Sequence, residues 1–239
     1  MNSEVRVGLI DSGIASEWMQ QVDAKLAFIL TRNPGASSSD FTVERRQMTP
    51  DALGHGSAVS RRIASFAPGV RWHVAQVFDA NRRASALQIA AALDWLAQQD
   101  IPLVCMSLGV RTDHPSLARA CANAVSRGMT LCASVPARGV SVFPAAYAGM
   151  VRVTGDARCA PRQWSWLNTS RADFGTAAYD SLGQPAGASL ANAALCGILA
   201  ACMAHHPHLS MAQNLHYLRE YAPIQGEQIT PWIRVRDLN

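Results

Sequence analysis

The chain has 239 residues and a mass of 25.7 kDa, with hydrophobic residues at 49% and charged residues at 16%. That composition supplies a large buried core and excludes a disordered chain, and the length suits a single domain over residues 1–239. The net charge is +4 at pH 7, nearly all of it from arginine, and the pairs Arg45-Arg46, Arg61-Arg62 and Arg82-Arg83 are scattered without interleaved aromatics, which reads as a solvated surface rather than a nucleic-acid groove.

Residues 5–10, VRVGLI, predict a strand that stops at the turn Asp11-Ser12-Gly13. The region after it shows no clear pattern and ends in the loop NPGASSSD at 33–40. GHGSAVSRRIASFAP then places glycines on both sides of His55, with Val59, Ile63 and Phe66 at helical spacing and Pro68 beyond the end. A β-rich run at 70–78 precedes an amphipathic helix at 85–99 and a nearly continuous apolar run, IPLVCMSL, at 101–108. The last reads as a buried parallel strand. A helix at 116–128, strands at 129–135 and 149–155, a looser stretch at 156–186, and helices at about 188–204 and 210–222 complete the order. Strands that alternate with helices imply βαβ units and one open, mostly parallel sheet.

Functional groups in such a sheet gather at the C-terminal strand ends. Asp11 and Ser107 fall there, and Ser189 opens the helix that begins in GASLA. Each has an ordinary reading: Asp11 as a turn residue, His55 as a satisfied loop histidine, Ser189 as an N-cap. Together they form an ordered set of acid, base and hydroxyl. A serine needs an adjacent base to act as a nucleophile, and imidazole titrates near the working pH. A carboxylate fixes the imidazole tautomer, and a helix N-terminus favours a developing oxyanion. GASLA also approaches the nucleophile elbow G-x-S-x-G, but that fold orders its triad serine, acid, histidine. The order Asp11, His55, Ser189 fits poorly with it.

These motifs resemble those of the subtilisin-like serine proteases, the subtilases. VGLIDSGI is similar to their aspartate motif, GHGSAVS to their histidine motif with Ser57 in place of threonine, and GASLANAAL to their serine motif. VCMSLG resembles the strand that binds the substrate backbone, which assigns Ser107, Leu108 and Gly109 to substrate binding. The resemblance implies a three-layer α/β fold with helices on both faces of a mostly parallel sheet, and a serine endopeptidase with Asp11, His55 and Ser189 as its triad.

Three departures stand out. Ala188 replaces the threonine before the nucleophile, and Ala193 replaces a proline in the first helical turn. More seriously, the family's oxyanion-binding asparagine is replaced by Pro136, which offers neither a side-chain donor nor a backbone N–H. The Ser189 N–H is left as oxyanion donor, with Ser134, Arg138 and Asn168 as candidate substitutes. The same departure motivates an alternative, a catalytically impaired pseudoprotease that binds peptides; acyl transfer to another amine is a third reading.

The sequence suggests no metal or other cofactor. The six cysteines contain no C-x-x-C, no acidic cluster resembles a calcium loop, and the HHPH run at 205–208 reads as a complement to a helix C-terminus. No signal peptide is evident, and the strongly apolar run 193–204 is short for a bilayer span. A cytoplasmic enzyme without a propeptide is therefore expected. Such an enzyme needs narrow specificity, which suggests one dedicated protein partner, processed by removal of a leader peptide.

Overall fold

A strand covered on both faces needs apolar side chains at nearly every position. The two runs that meet this condition best are β1 (Arg6–Asp11) and β5 (Leu103–Met106), which lie side by side in parallel. The computed structural model describes residues 4–32, 41–79, 81–177 and 187–226. The loop predicted at 33–40 lies outside the described residues.

Eight further strands join these two: β2 (Val22–Arg32), β3 (Phe41–Arg46), β4 (Arg71–Gln76), β6 (Thr130–Ser134), β7 (Val151–Asp156), β8 (Trp164–Trp166), β9 (Phe174–Ala177) and β10 (Ile224–Gln225). Their order across the sheet is β10-β8-β9-β7-β6-β5-β1-β4-β2-β3. Only the β2–β3 and β8–β9 pairs are antiparallel among the described strands. The helices are α1 (His55–Ala64), α2 (Ala86–Gln98), α3 (Pro115–Ser126), α4 (Gly187–His205) and α5 (Met211–Glu220). One face is covered by α2 and α3, with Leu93, Leu96 and Leu117 against Ile10, Val104 and Leu131. The other face is covered by α1 and α4, with Val59, Ile63 and Leu195 against Leu9, Trp72 and Cys105. This is the expected three-layer α/β architecture.

The unpatterned region after Gly13 is in fact ordered: a 3-10 turn at Ser16–Gln21 leads into the eleven-residue β2. With β3, which is almost wholly exposed, it closes one edge of the sheet. Edge strands carry charge and polarity that discourage further pairing, which removes the apolar signal from their sequences. The stretch at 156–186 likewise contains β8 and β9, too short to leave a period.

Helix α4 is longer than the apolar run suggested. Its 19 residues include an 18-residue window of mean hydropathy 1.7, long and apolar enough to cross a membrane by length and composition. Residues 191–200 are instead buried inside the fold, where α4 packs on β5, β6, β7 and β9. Gly197 allows this helix close to α1, since a Cβ there would lie 2.7 Å from the Ile63 carbonyl oxygen.

Candidate active site

The order β5-β1-β4 marks the point where the chain reverses direction of winding, and the crevice opens at the C-terminal ends of these strands. Asp11 is the last residue of β1 and is fully buried. Its Oδ1 accepts the Ser12 N–H at 2.7 Å and lies 2.7 Å from His55 Nδ1. The acceptor fixes the imidazole tautomer, with the proton on Nδ1 and Nε2 left as the base.

His55 is the first residue of α1, placed there by Gly54 in a left-handed conformation (φ 71°). Gly56 lets the helix start lie against the Asp11 turn: a Cβ there would stand 2.2 Å from the Gly13 carbonyl oxygen. The Gly13 oxygen is backbone, and a Cβ is fixed to its own backbone, so neither moves cheaply. Gly56→Ala is expected to destabilise the fold by about 1–3 kcal/mol, read as a fall in Tm of roughly 2–12 °C. An unchanged Tm would mean that the two turns are not interlocked.

Sequence reasoning missed Asp51, which builds this corner. Its Oδ2 accepts the Ser57 N–H and hydroxyl, both at 2.7 Å, and its Oδ1 accepts the Ser12 hydroxyl at 2.8 Å and the Gly54 N–H at 3.0 Å. Ser12 Oγ in turn accepts the Gly56 N–H at 2.9 Å and sits 3.2 Å from Asp11 Oδ1. The first turn of α1 is thereby tied to the end of β1. The N-cap of α1 is Gly54, with no side-chain cap, so no capping pattern singled Asp51 out. Gln76, the last residue of β4, holds the same turn from below through its Nε2, which donates to the Ser12 carbonyl at 2.7 Å.

Burial is the largest influence on Asp11 and pushes its carboxyl up, while the hydrogen bonds from His55 and Ser12 oppose it. The bond to Asp11 lifts His55 above the usual imidazole value; burial works against that lift, the Asp11 and Asp51 charges add to it, and Arg82 subtracts. Burial also pushes Asp51 up, but the bonds from Ser57, Ser12 and Gly54 outweigh it and leave the carboxyl below its usual range.

Ser189 is the third residue of α4, inside the first turn rather than capping it. Its hydroxyl donates to the Ser107 carbonyl at 3.2 Å, and the Ser107 hydroxyl donates back to the Ser189 carbonyl at 2.9 Å. One turn later, the fully buried Asn192 sends its Nδ2 to Ser107 Oγ at 3.3 Å, Cys105 Sγ at 3.4 Å and the Cys132 carbonyl at 3.3 Å. These bonds pin the start of α4 to the ends of β5 and β6. Asn192 lies in a run of small residues that carried no signal for it. Ser107 also shares a cavity wall with His55, so the structure brings Asp11, His55, Ser107 and Ser189 into one crevice. Leu108 is buried, and Gly109 faces Val142, whose Cγ2 would lie 3.0 Å from a Cβ at that position.

Pro136 follows the end of β6 by two residues, and its carbonyl accepts from Arg171 Nη1 at 3.4 Å. Of the three candidate substitutes, Ser134 is buried within β6 and Arg138 is exposed beyond Pro136. Asn168 lies in the β8–β9 turn, lining a separate cavity of about 820 Å³.

Burial pushes Cys196 well up and Cys159 up to about 11, the condition of inert structural cysteines. At the far end of α4, His205 Nδ1 lies 2.7 Å from the Ala201 carbonyl oxygen, the predicted complement to a helix C-terminus. No group of three or more metal-ligating side chains occurs among the described residues.

A buried carboxylate on an imidazole and a helix-borne serine thus both lie at the C-terminal ends of one parallel sheet. The subtilase family model matches residues 2–147, more than half of the sequence. The chain belongs to the subtilase family. Subtilisin BL of Lederbergia lenta is 27% identical over 162 residues, which are 63% of this chain and 55% of that protein. Subtilisin DY of Bacillus licheniformis is 25% identical over 166 residues, 63% of this chain and 56% of that one. The chain thus spans about half the length of the curated relatives it matches. Among solved structures, a lanthipeptide protease superposes with a TM-score of 0.68 at 17% identity, covering 93% of this chain and 81% of that one. The epidermin leader peptide processing serine protease of Staphylococcus aureus gives 0.67 at 15% identity, covering 90% and 69%. Ser189 lies beyond the segment matched by the family model but within α4 of the shared fold.

Proposed function

We propose that this chain is a serine endopeptidase that removes a leader peptide from one dedicated protein partner. The observation that carries the reading is the 2.7 Å contact between His55 Nδ1 and the buried Asp11 Oδ1, in the crevice where Ser107 holds the Ser189 hydroxyl. In the reaction the Ser189 hydroxyl turns from the Ser107 carbonyl to His55 Nε2, which takes its proton as Oγ attacks the scissile carbonyl. His55 then gives that proton to the leaving amine, and the C–N bond breaks. A water, deprotonated by His55, attacks the acyl carbon, and His55 returns that proton to Ser189 Oγ as the C–O bond to the serine breaks. Asp11 stays ionised and steadies the imidazolium. The Ser189 N–H and the positive end of α4 face the oxyanion.

Leader removal is supported by the leader-peptide processing named for one protein of similar fold. The partner we favour is the small, internally crosslinked subunit of quinohemoprotein amine dehydrogenase, processed in the cytoplasm before export. Co-expression with that subunit, with its new N-terminus read by mass spectrometry, tests this. Cleavage by the wild type and not by Ser189→Ala supports it; an intact leader with both refutes it. Pro136 favours a second reading, a peptide-binding module, which predicts tight partner binding without cleavage.

General-base catalysis needs neutral His55, so activity falls as pH drops through its pKa. That pKa is raised in this fold, so the acid limb of the kcat/KM profile is expected above 6.5. Asp51→Asn removes one of the charges that raise it and is expected to move the limb to lower pH. A limb that stays in place would show that Asp51 acts only on the fold.

A further inference from the structure

Beside His55 lies a small cavity of about 110 Å³ lined by Leu53, His55, Phe78, Arg82 and Ser107. Its chemistry is mixed. Phe78 meets the His55 ring edge-on, with centroids 6.3 Å apart. The arginine is presented by a built turn: Asp79 N–H donates to the Arg83 carbonyl at 2.9 Å, and Arg82 N–H donates to the Asp79 carbonyl at 3.1 Å. Asp79 Oδ1 accepts the N–H groups of Asn81 and Arg83 at 2.8 and 2.9 Å. Arg82 itself sits at φ 61°, in the left-handed region that a long side chain seldom occupies. Such residues cluster where a structure clamps a ligand.

The Asp79 carboxylate is occupied by its own turn, and among the described residues no carboxylate pairs with the Arg82 guanidinium. Its charge nevertheless reaches the imidazole, since it opposes the rise in the His55 pKa. Among the described residues, a positive group without a carboxylate partner thus lines an apolar-walled cavity that touches the imidazole.

A substrate strand laid along Ser107–Gly109 turns successive side chains to opposite faces. So laid, one side chain would meet the wall formed by Gly109 and Val142, and its neighbour would enter the cavity beside His55 and Phe78. We propose that this cavity is an acid-selective subsite: it receives an aspartate or glutamate immediately N-terminal to the residue whose carbonyl Ser189 attacks, with the side-chain carbons against Phe78 and Leu53 and the carboxylate on Arg82. The inference rests on the endopeptidase reading and narrows its substrate class.

The test is competition between a fluorophosphonate probe and three acetylated tripeptide aldehydes that differ only at the middle residue: aspartate, leucine or lysine. An exposed ion pair is worth up to about 1 kcal/mol, so the aspartyl aldehyde is expected to protect about fivefold better than the leucyl one, with the lysyl one weakest. The advantage is expected to shrink between about 50 mM and about 1 M salt. Arg82→Glu is expected to invert the order, and Arg82→Asn, which tolerates the left-handed backbone, to level it. Comparison of the three aldehydes within each variant cancels any change in His55 basicity. Equal protection by all three, or an order unchanged in Arg82→Glu, overturns the acid-selective subsite. Absence of fluorophosphonate labelling on Ser189 instead overturns the endopeptidase reading.

Discussion

Pro136→Asn is expected to raise kcat by about a hundred- to a thousandfold. The position follows β6, which lies beside β5, the strand that ends just before Ser107. Proline there contributes no donor, whereas asparagine restores both a backbone N–H and a side-chain amide. A donor aimed at the oxyanion acts on the transition state and not on the bound ground state, so kcat is expected to rise while KM holds. Arg171, which donates to the carbonyls of residues 136 and 139, keeps the loop in place through the substitution. Steady-state kinetics on a leader-derived peptide measures the effect. Unchanged kcat would mean that another group already serves the oxyanion.

Ser189→Ala is expected to abolish fluorophosphonate labelling and to lower kcat by about 10³–10⁴. A triad that works as a unit with a complete oxyanion hole loses about 10⁶ when its serine is removed. Without the donor missing at Pro136, the starting rate is lower by about 10²–10³, while the floor set by binding stays where it was. The double change Pro136→Asn with Ser189→Ala is then expected to match Ser189→Ala alone, because a donor has no covalent oxyanion to bind. A double variant faster than the single one would show that the two groups act separately.

Both predictions start from residues visible in the sequence, and the limits of that visibility have physical causes. Asp11 and His55 were legible because each sits in a turn whose glycines are required locally: Gly54 by its left-handed backbone, Gly56 by contact with Gly13. The central strands were legible because burial on both faces leaves no polar interruption. The edge hairpin β2–β3 was not, since exposure removes that constraint. Asp51, Asn192 and Arg82 were missed because their roles depend on partners 39, 85 and 27 residues away in the chain.

By itself, the sequence determined the alternation that builds a parallel sheet and the order aspartate, histidine, serine along it, since both follow from local pattern and turn chemistry. Only the tertiary structure decided that Ser189 stands inside the first turn of α4 with its hydroxyl on the Ser107 carbonyl. It also decided that Asp51 ties the His55 helix to β1 and that Arg82 stands over the crevice. These are contacts between elements far apart in the chain, fixed by the packing of α1 and α4 on one sheet face, and no local pattern encodes them.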